Sequence, residues 1–136
     1  MPFLREYSVF ICHAWDYHED YYRLVEFLNA APNFQWVNLS VPKHDPLAGD
    51  LERELRNQMR EADVFLVLAG MYVPRREWID FEMNFARRIG RPIIGIRPWS
   101  STTIPVAVQV AAKQIVGWNT ASIVSAIRYW ALQPGE

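Results

Sequence analysis

The sequence predicts a doubly wound α/β domain, a three-layer arrangement in which a five-stranded parallel sheet of order 2-1-3-4-5 carries helices on both faces. Three observations carry this reading. Short apolar runs of strand length alternate along the chain with stretches whose apolar residues recur at helical spacing. The most hydrophobic run, Ala62 to Gly70, lacks the polar alternation of a half-exposed strand and therefore needs cover on both faces. The 136 residues, 51% of them hydrophobic and 14% aromatic, suffice for one domain with a real core, and no repeat, linker or low-complexity tract divides them.

The elements follow in order. Tyr7 to Cys12 is a β-branched and aromatic run that suits a buried first strand. The polar and aromatic segment His13 to Asp20 follows as a loop, and Tyr21, Leu24, Val25 and Leu28 then mark a helix face. Phe34 to Leu39 makes a second strand, shortened by Pro32 and Asn33 and suited to an edge. Ser40 to Gly49 is rich in proline, glycine and polar residues and continues neither element. Asp50 can cap a half-exposed helix that runs to about Arg60, with Leu51, Leu55 and Met59 on its apolar stripe. Ala62 to Gly70 is the central strand, and Arg91 to Arg97 the fourth. Beyond a loop at Pro98 to Thr103, Ile104 to Ala112 reads as a short helix with Pro105 in its first turn. Lys113 to Trp118 is a brief fifth strand, and Asn119 or Thr120 caps a last helix through about Trp130.

Between the third and fourth strands, Pro74 to Gly90 reads as one helix. Pro74 suits its first turn, Glu77 its positive N-terminal end, and Arg87, Arg88 and Gly90 its close. Trp78, Phe81, Phe85, Ala86 and Ile89 share one face, with Arg76, Asp80, Asn84, Arg87 and Arg88 opposite. Glu82 falls inside the apolar stripe. An ionised carboxylate there is unfavourable unless it is paired, bends to solvent at the stripe's edge, or opens into a cleft. In a 2-1-3-4-5 sheet ligands bind at the carboxyl ends of the strands, at the switch point between strands one and three. The loop after strand one and this helix both border that crevice, which makes Glu82 the first candidate for chemistry.

Several chemistries of this fold class fail on particular residues. The turn after strand one, Cys12-His13-Ala14-Trp15-Asp16, has neither the glycines of a dinucleotide fingerprint nor the small hydroxyl and glycine residues of a flavin phosphate cradle. A receiver domain would need acids at the ends of strands one and three and a lysine after strand five, where the chain has Cys12, Ala69 and Gly117. A cysteine phosphatase needs an arginine six positions after its cysteine, and that position is His18. Cys12 and His13 point to opposite faces of an extended segment and are not a catalytic pair. His13, His18 and His44 lack metal-ligand spacing, although His13 can still line the crevice. The formal charge of −1 argues against bulk electrostatic binding of nucleic acid. A single cysteine, no membrane-length apolar run and no signal peptide at the N-terminus lead to the expectation of a soluble cytoplasmic protein. What survives is a pocket with one carboxylate and flat walls from Trp15, Tyr17, Tyr72 or Trp78, which suits cleavage of an N-glycosidic bond.

These residues also resemble a known family. Val9-Phe10-Ile11-Cys12-His13-Ala14-Trp15-Asp16 resembles the first strand and following loop of TIR domains. Trp78-Ile79-Asp80-Phe81-Glu82 looks like their tryptophan-to-glutamate motif on the helix after strand three. With Arg91 to Trp99 and Ile115 to Thr120, the chain is most similar to the bacterial and archaeal TIR-like branch that includes the ThsB-type proteins of Thoeris anti-phage defence. The resemblance implies a flavodoxin-like TIR fold whose catalytic members cleave NAD at the nicotinamide-ribose bond or make a signalling nucleotide from ADP-ribose. It implies NAD as substrate with no tightly bound cofactor, Glu82 as the catalytic glutamate, and Cys12, His13, Ala14, Trp15 and Asp16 on the nucleotide side; Tyr72 and Trp78 join these as the flat walls read from the residues themselves. It also implies self-association through the Val41 to Gly49 loop, and leaves room for a phage-derived activator and a downstream effector. The hydroxyl and arginine common after strand one in TIR domains are replaced here by Cys12, His13 and Ala14. Two other readings stand beside an NAD-consuming enzyme: a non-catalytic interaction module, and an enzyme resembling nucleoside deoxyribosyltransferases.

Overall fold

A computed structural model describes residues 5–12, 19–40, 49–69, 76–97 and 104–131. The strands are β1 (Glu6–Cys12), β2 (Gln35–Asn38), β3 (Val64–Leu68), β4 (Ile93–Ile96) and β5 (Gln114–Val116). The helices are α1 (Glu19–Ala30), α2 (Gly49–Arg60), α3 (Arg76–Arg88), α4 (Val106–Ala111) and α5 (Thr120–Trp130). All four strand pairings are parallel, and the order is β2-β1-β3-β4-β5, the flavodoxin-like arrangement that the alternation of elements predicts. Each parallel neighbour demands a crossover, so the helices cover both faces: α1 meets α5 on one, and α3 meets α4 on the other.

The interior strands are apolar for this reason. Every residue of β3 and of β4 is buried, whereas β2 exposes Gln35 and Asn38, as an edge strand can. Phe10 and Phe65 are register partners on β1 and β3, and their ring centroids lie 5.2 Å apart, a contact worth about 1 kcal/mol beyond its buried area. Helix ends follow local chemistry. The Asn119 side chain accepts a hydrogen bond from the Ser122 amide and caps α5. Gly90, at φ +74°, closes α3 in a Schellman arrangement: the Gly90 amide donates to the Arg87 carbonyl and the Arg91 amide to the Ala86 carbonyl.

One expectation is corrected. The buried face of α3 is turned from the sequence-based stripe toward Ile79 and Met83, both buried with Phe85 and Ala86, while Phe81 and Ile89 are only half-buried. The helix packs on β1, β3 and β4 and also beside α4, so its buried arc is broad. Phe81 and Phe85 stand toward α2, where the guanidinium groups of Arg56 and Arg60 lie 5.5 and 5.4 Å from their ring centroids. The rotation leaves Glu82 deeper within the buried face than the stripe implied. Among the described residues no helix is long and apolar enough to cross a membrane.

Arg91 ties two segments together at the N-terminal end of β4. Its Nε, Nη1 and Nη2 donate to the carbonyls of Ala62, Ile89 and Arg60 at 2.8, 2.8 and 2.9 Å. Arg91→Ala leaves these acceptors to water, and the expected loss of stability is about 2 kcal/mol. Urea unfolding should show the midpoint falling at an unchanged slope. A midpoint equal to wild type would mean that water replaces the guanidinium at no cost.

Candidate functional site

Two elements bring Cys12 and Glu82 together. Cys12 is the last residue of β1, paired in register with Val67 of β3 at the switch point of the sheet. Glu82 lies midway along α3, which crosses β1 and β3. Cys12 is 0% exposed and Glu82 3%, the latter alone among the described polar and charged residues in being buried. The thiol hydrogen-bonds to the carboxyl group, yet among the described residues Glu82 Oε1 has no hydrogen-bond partner and Glu82 no ion pair.

The electrostatics follow from burial. Loss of hydration pushes the Glu82 carboxyl well above the usual carboxylate range, and the hydrogen bond from Cys12 pulls more weakly the other way. Burial also pushes the Cys12 thiol up, and the Glu82 charge and hydrogen bond add to that shift. A thiol held this far from ionisation is a poor nucleophile and a poor metal ligand. Glu82 is instead an acid whose ionisation awaits a compensating positive charge. Among the described residues no cluster of three or more His, Cys, Asp or Glu side chains could hold a metal ion.

The end of β1 is fixed from its other side. The Ile11 amide donates to Ser40 Oγ at 2.8 Å, the Ser40 amide to Asn38 Oδ1 at 2.9 Å, and Asn38 Nδ2 to the Tyr21 hydroxyl at 2.7 Å. Polar residues directly after a strand were the available signal for this brace, but partners on another strand and helix cannot be chosen from sequence. Of the other predicted site residues, Trp78 lies on α3 with its side chain outside the described set. His13, Ala14, Trp15, Asp16 and Tyr72 lie outside the described residues, as does the segment from Val41 up to Gly49, where α2 begins, for which the resemblance implies self-association.

Linkage gives the buried carboxyl a signature. Glu82 binds its proton more tightly in the folded chain than in the unfolded one, so its favourable contribution is complete below the ordinary carboxylate range. It is lost as pH rises toward the elevated folded value. Glu82→Gln carries no charge and is expected to be more stable than wild type at pH 8, by about 4 °C in Tm for each kcal/mol relieved, with the gap narrowing at pH 5. Thermal melts at the two pH values check this, and an equal gap at both would make the carboxyl an ordinary one. Iodoacetamide at pH 8 should leave Cys12 unmodified in the folded chain and alkylate it in urea, as read by mass. Rapid alkylation of the folded protein would put the thiol in solvent.

Residues 10–103 match the family model of the TIR-like domain of Thoeris protein ThsB. Among solved structures the chain is similar to the Clostridium botulinum CMP N-glycosidase BcmB, with a TM-score of 0.54 and 16% identity over 90% of this chain and 98% of that one. At this identity the likeness concerns the fold. No curated protein gives a match. The family match begins within β1, passes through α3 and ends beyond β4, so it contains both Cys12 and Glu82 and covers more than half of the chain. On that match the chain belongs to the family of TIR-like domains of Thoeris protein ThsB.

Proposed function

We propose that this domain breaks an N-glycosidic bond at a ribose C1′, with NAD as substrate and Glu82 as the stabilising carboxylate. The observation that carries the reading is the Glu82 carboxyl itself, buried at the switch point of the sheet and, among the described residues, paired with no cation and with Oε1 unsatisfied. A buried acid of this kind is unfavourable until a positive charge arrives beside it. The pyridinium ring of NAD brings one, and the proton of Glu82 then leaves for solvent. As the C1′–N bond breaks, its electron pair goes to nicotinamide, which departs neutral. The positive charge passes to C1′ and the ring oxygen, where a carboxylate in low dielectric interacts strongly with it. Water, losing a proton to solvent or to the Glu82 carboxylate, or another nucleophile completes the bond at C1′.

In this reading Oε1 accepts a ribose hydroxyl, Cys12 holds the carboxyl in place, and Trp15, Tyr72 and Trp78 supply flat surfaces for the rings. Family membership supports it, and so does a like fold in a protein described as an N-glycosidase of CMP, whose base-ribose bond is of the same kind. The Val41 to Gly49 loop is the proposed self-association element, with a phage-derived activator and a downstream effector as further partners.

The test is incubation of purified chain with NAD, alone and with extract of infected cells, followed by mass analysis of the products. Wild type should release nicotinamide, and Glu82→Gln should lower the rate by about 10²–10³-fold, the usual cost of removing a preorganised electrostatic group. Intact NAD under both conditions, together with a Glu82→Ala variant that still protects cells, would sink the enzyme in favour of an interaction module. Turnover of deoxynucleosides in place of NAD would move the substrate to that class.

A further inference from the structure

At the far end of the sheet from Glu82, around the N-terminal ends of β4 and β5, lies a cleft of about 490 Å³. It is built from the turn between α3 and β4, the turn between α4 and β5, and the end of α5. Arg87, Arg91 and Lys113 line it, and among the described residues no acidic one does, although the chain as a whole carries a formal charge of −1. The volume lies within the range of small-molecule sites, about 300–1,000 Å³.

Cations near helix C-termini have an ordinary explanation, the completion of unsatisfied carbonyls and of the helix dipole. Here the backbone already does much of that work. The Gly90 and Arg91 amides satisfy the Arg87 and Ala86 carbonyls, and the Ala112 amide satisfies that of Val108. The guanidinium of Arg91 takes up the Ile89 carbonyl and is anchored by two more. The side chains of Arg87 and Lys113 are exposed and, among the described residues, have neither an acceptor nor an ion pair. Beside them the space is open, since a Cβ added at Gly90 would meet nothing within 4 Å. The third wall is aromatic and pinned: Trp130 Nε1 donates to Gln114 Oε1 at 3.0 Å, and Tyr129 meets its ring edge-on at a centroid distance of 4.8 Å.

We propose that this cleft binds a small phosphate ester with a flat apolar body, of mononucleotide size. Arg87 and Lys113 take the phosphate oxygens in charge-assisted hydrogen bonds, with the fixed charge of Arg91 behind them, and Trp130 takes the flat body. The site is separate from Glu82 and does not depend on the proposed NAD chemistry.

The experiment is an NMR titration of the ¹⁵N-labelled chain with AMP as probe, with adenosine and inorganic phosphate as separate arms. AMP should shift the Gly90 and Lys113 amides and the Trp130 indole N–H, and should bind more tightly than either fragment. The double variant Arg87→Ala, Lys113→Ala changes exposed residues, so its melting temperature should match wild type while its AMP affinity falls by about tenfold or more. Glu82→Gln should leave that affinity unchanged. Three results would each overturn the proposal: no shift up to about 10 mM AMP, a weaker limit than any specific site of this kind; undiminished binding by the double variant; or shifts confined to the end of β1 and the middle of α3 and altered by Glu82→Gln. The last would mark AMP as a ligand of the Glu82 crevice instead.

Discussion

A carboxyl group held in the interior with a thiol as its neighbour is the constraint on which the end of β1 and the middle of α3 depend. The parallel sheet leaves no choice about covering β1 and β3, and α3 is the helix that lies across both. Its buried face must therefore be apolar, and Glu82 interrupts that face between Ile79, Met83 and Ala86. An arginine at the end of β1 would have stabilised the carboxylate permanently and kept it ionised. A thiol is a weak donor with no charge to offer, so Glu82 keeps its place while its proton affinity stays high. The packing that makes the core also sets the acid.

The same neighbour settles what Cys12 does. A reactive cysteine needs partial exposure and a positive environment that favours the thiolate. Cys12 has full burial and a carboxyl partner, both of which disfavour it. Its side chain meets Glu82, and the brace from Ile11 through Ser40 and Asn38 to Tyr21 holds that end of β1 in turn. Sulfur is larger and less polar than a hydroxyl oxygen, and it fills the buried end of the strand without hydrating the acid.

The strands and their order were legible because parallel sheets demand near-continuous apolar runs, and Ala62 to Gly70 could be little else. Strand and helix ends moved by a few residues where turns or caps took over, as at Asn119, whose capping role the sequence does suggest. The anomaly at Glu82 was legible from helical periodicity alone. The exact buried arc of α3 was not, because it depends on α2 and α4 as well as on the sheet, and periodicity does not report neighbours. Nor was the contact between Cys12 and Glu82 readable locally: the two residues are far apart in the chain and meet only through the sheet order and the path of α3. The cationic cleft was hidden for the same reason, since Arg87 lies in the last turn of α3 and Lys113 just before β5, and only the pairing of β4 with β5 brings the two to one cleft.

The two ends of the sheet are thus electrostatic opposites. In an α/β sheet the strand C-termini face helix N-termini, an environment that favours anions, and the opposite end faces helix C-termini, which favours cations. Here a protonatable acid stands at the first end and a group of cations at the second, each in the sense that the helix dipoles favour. For Glu82 the dipole of α3 has little leverage, because the residue lies midway along the helix and burial dominates its ionisation. For Arg87 and Lys113 the dipole supplies the reason that cations are tolerated there, and the Schellman closure with the Arg91 anchor supplies the reason that they are not used up. At one end of the sheet the fold tolerates cations without consuming them, and at the other burial withholds the ionisation of an acid.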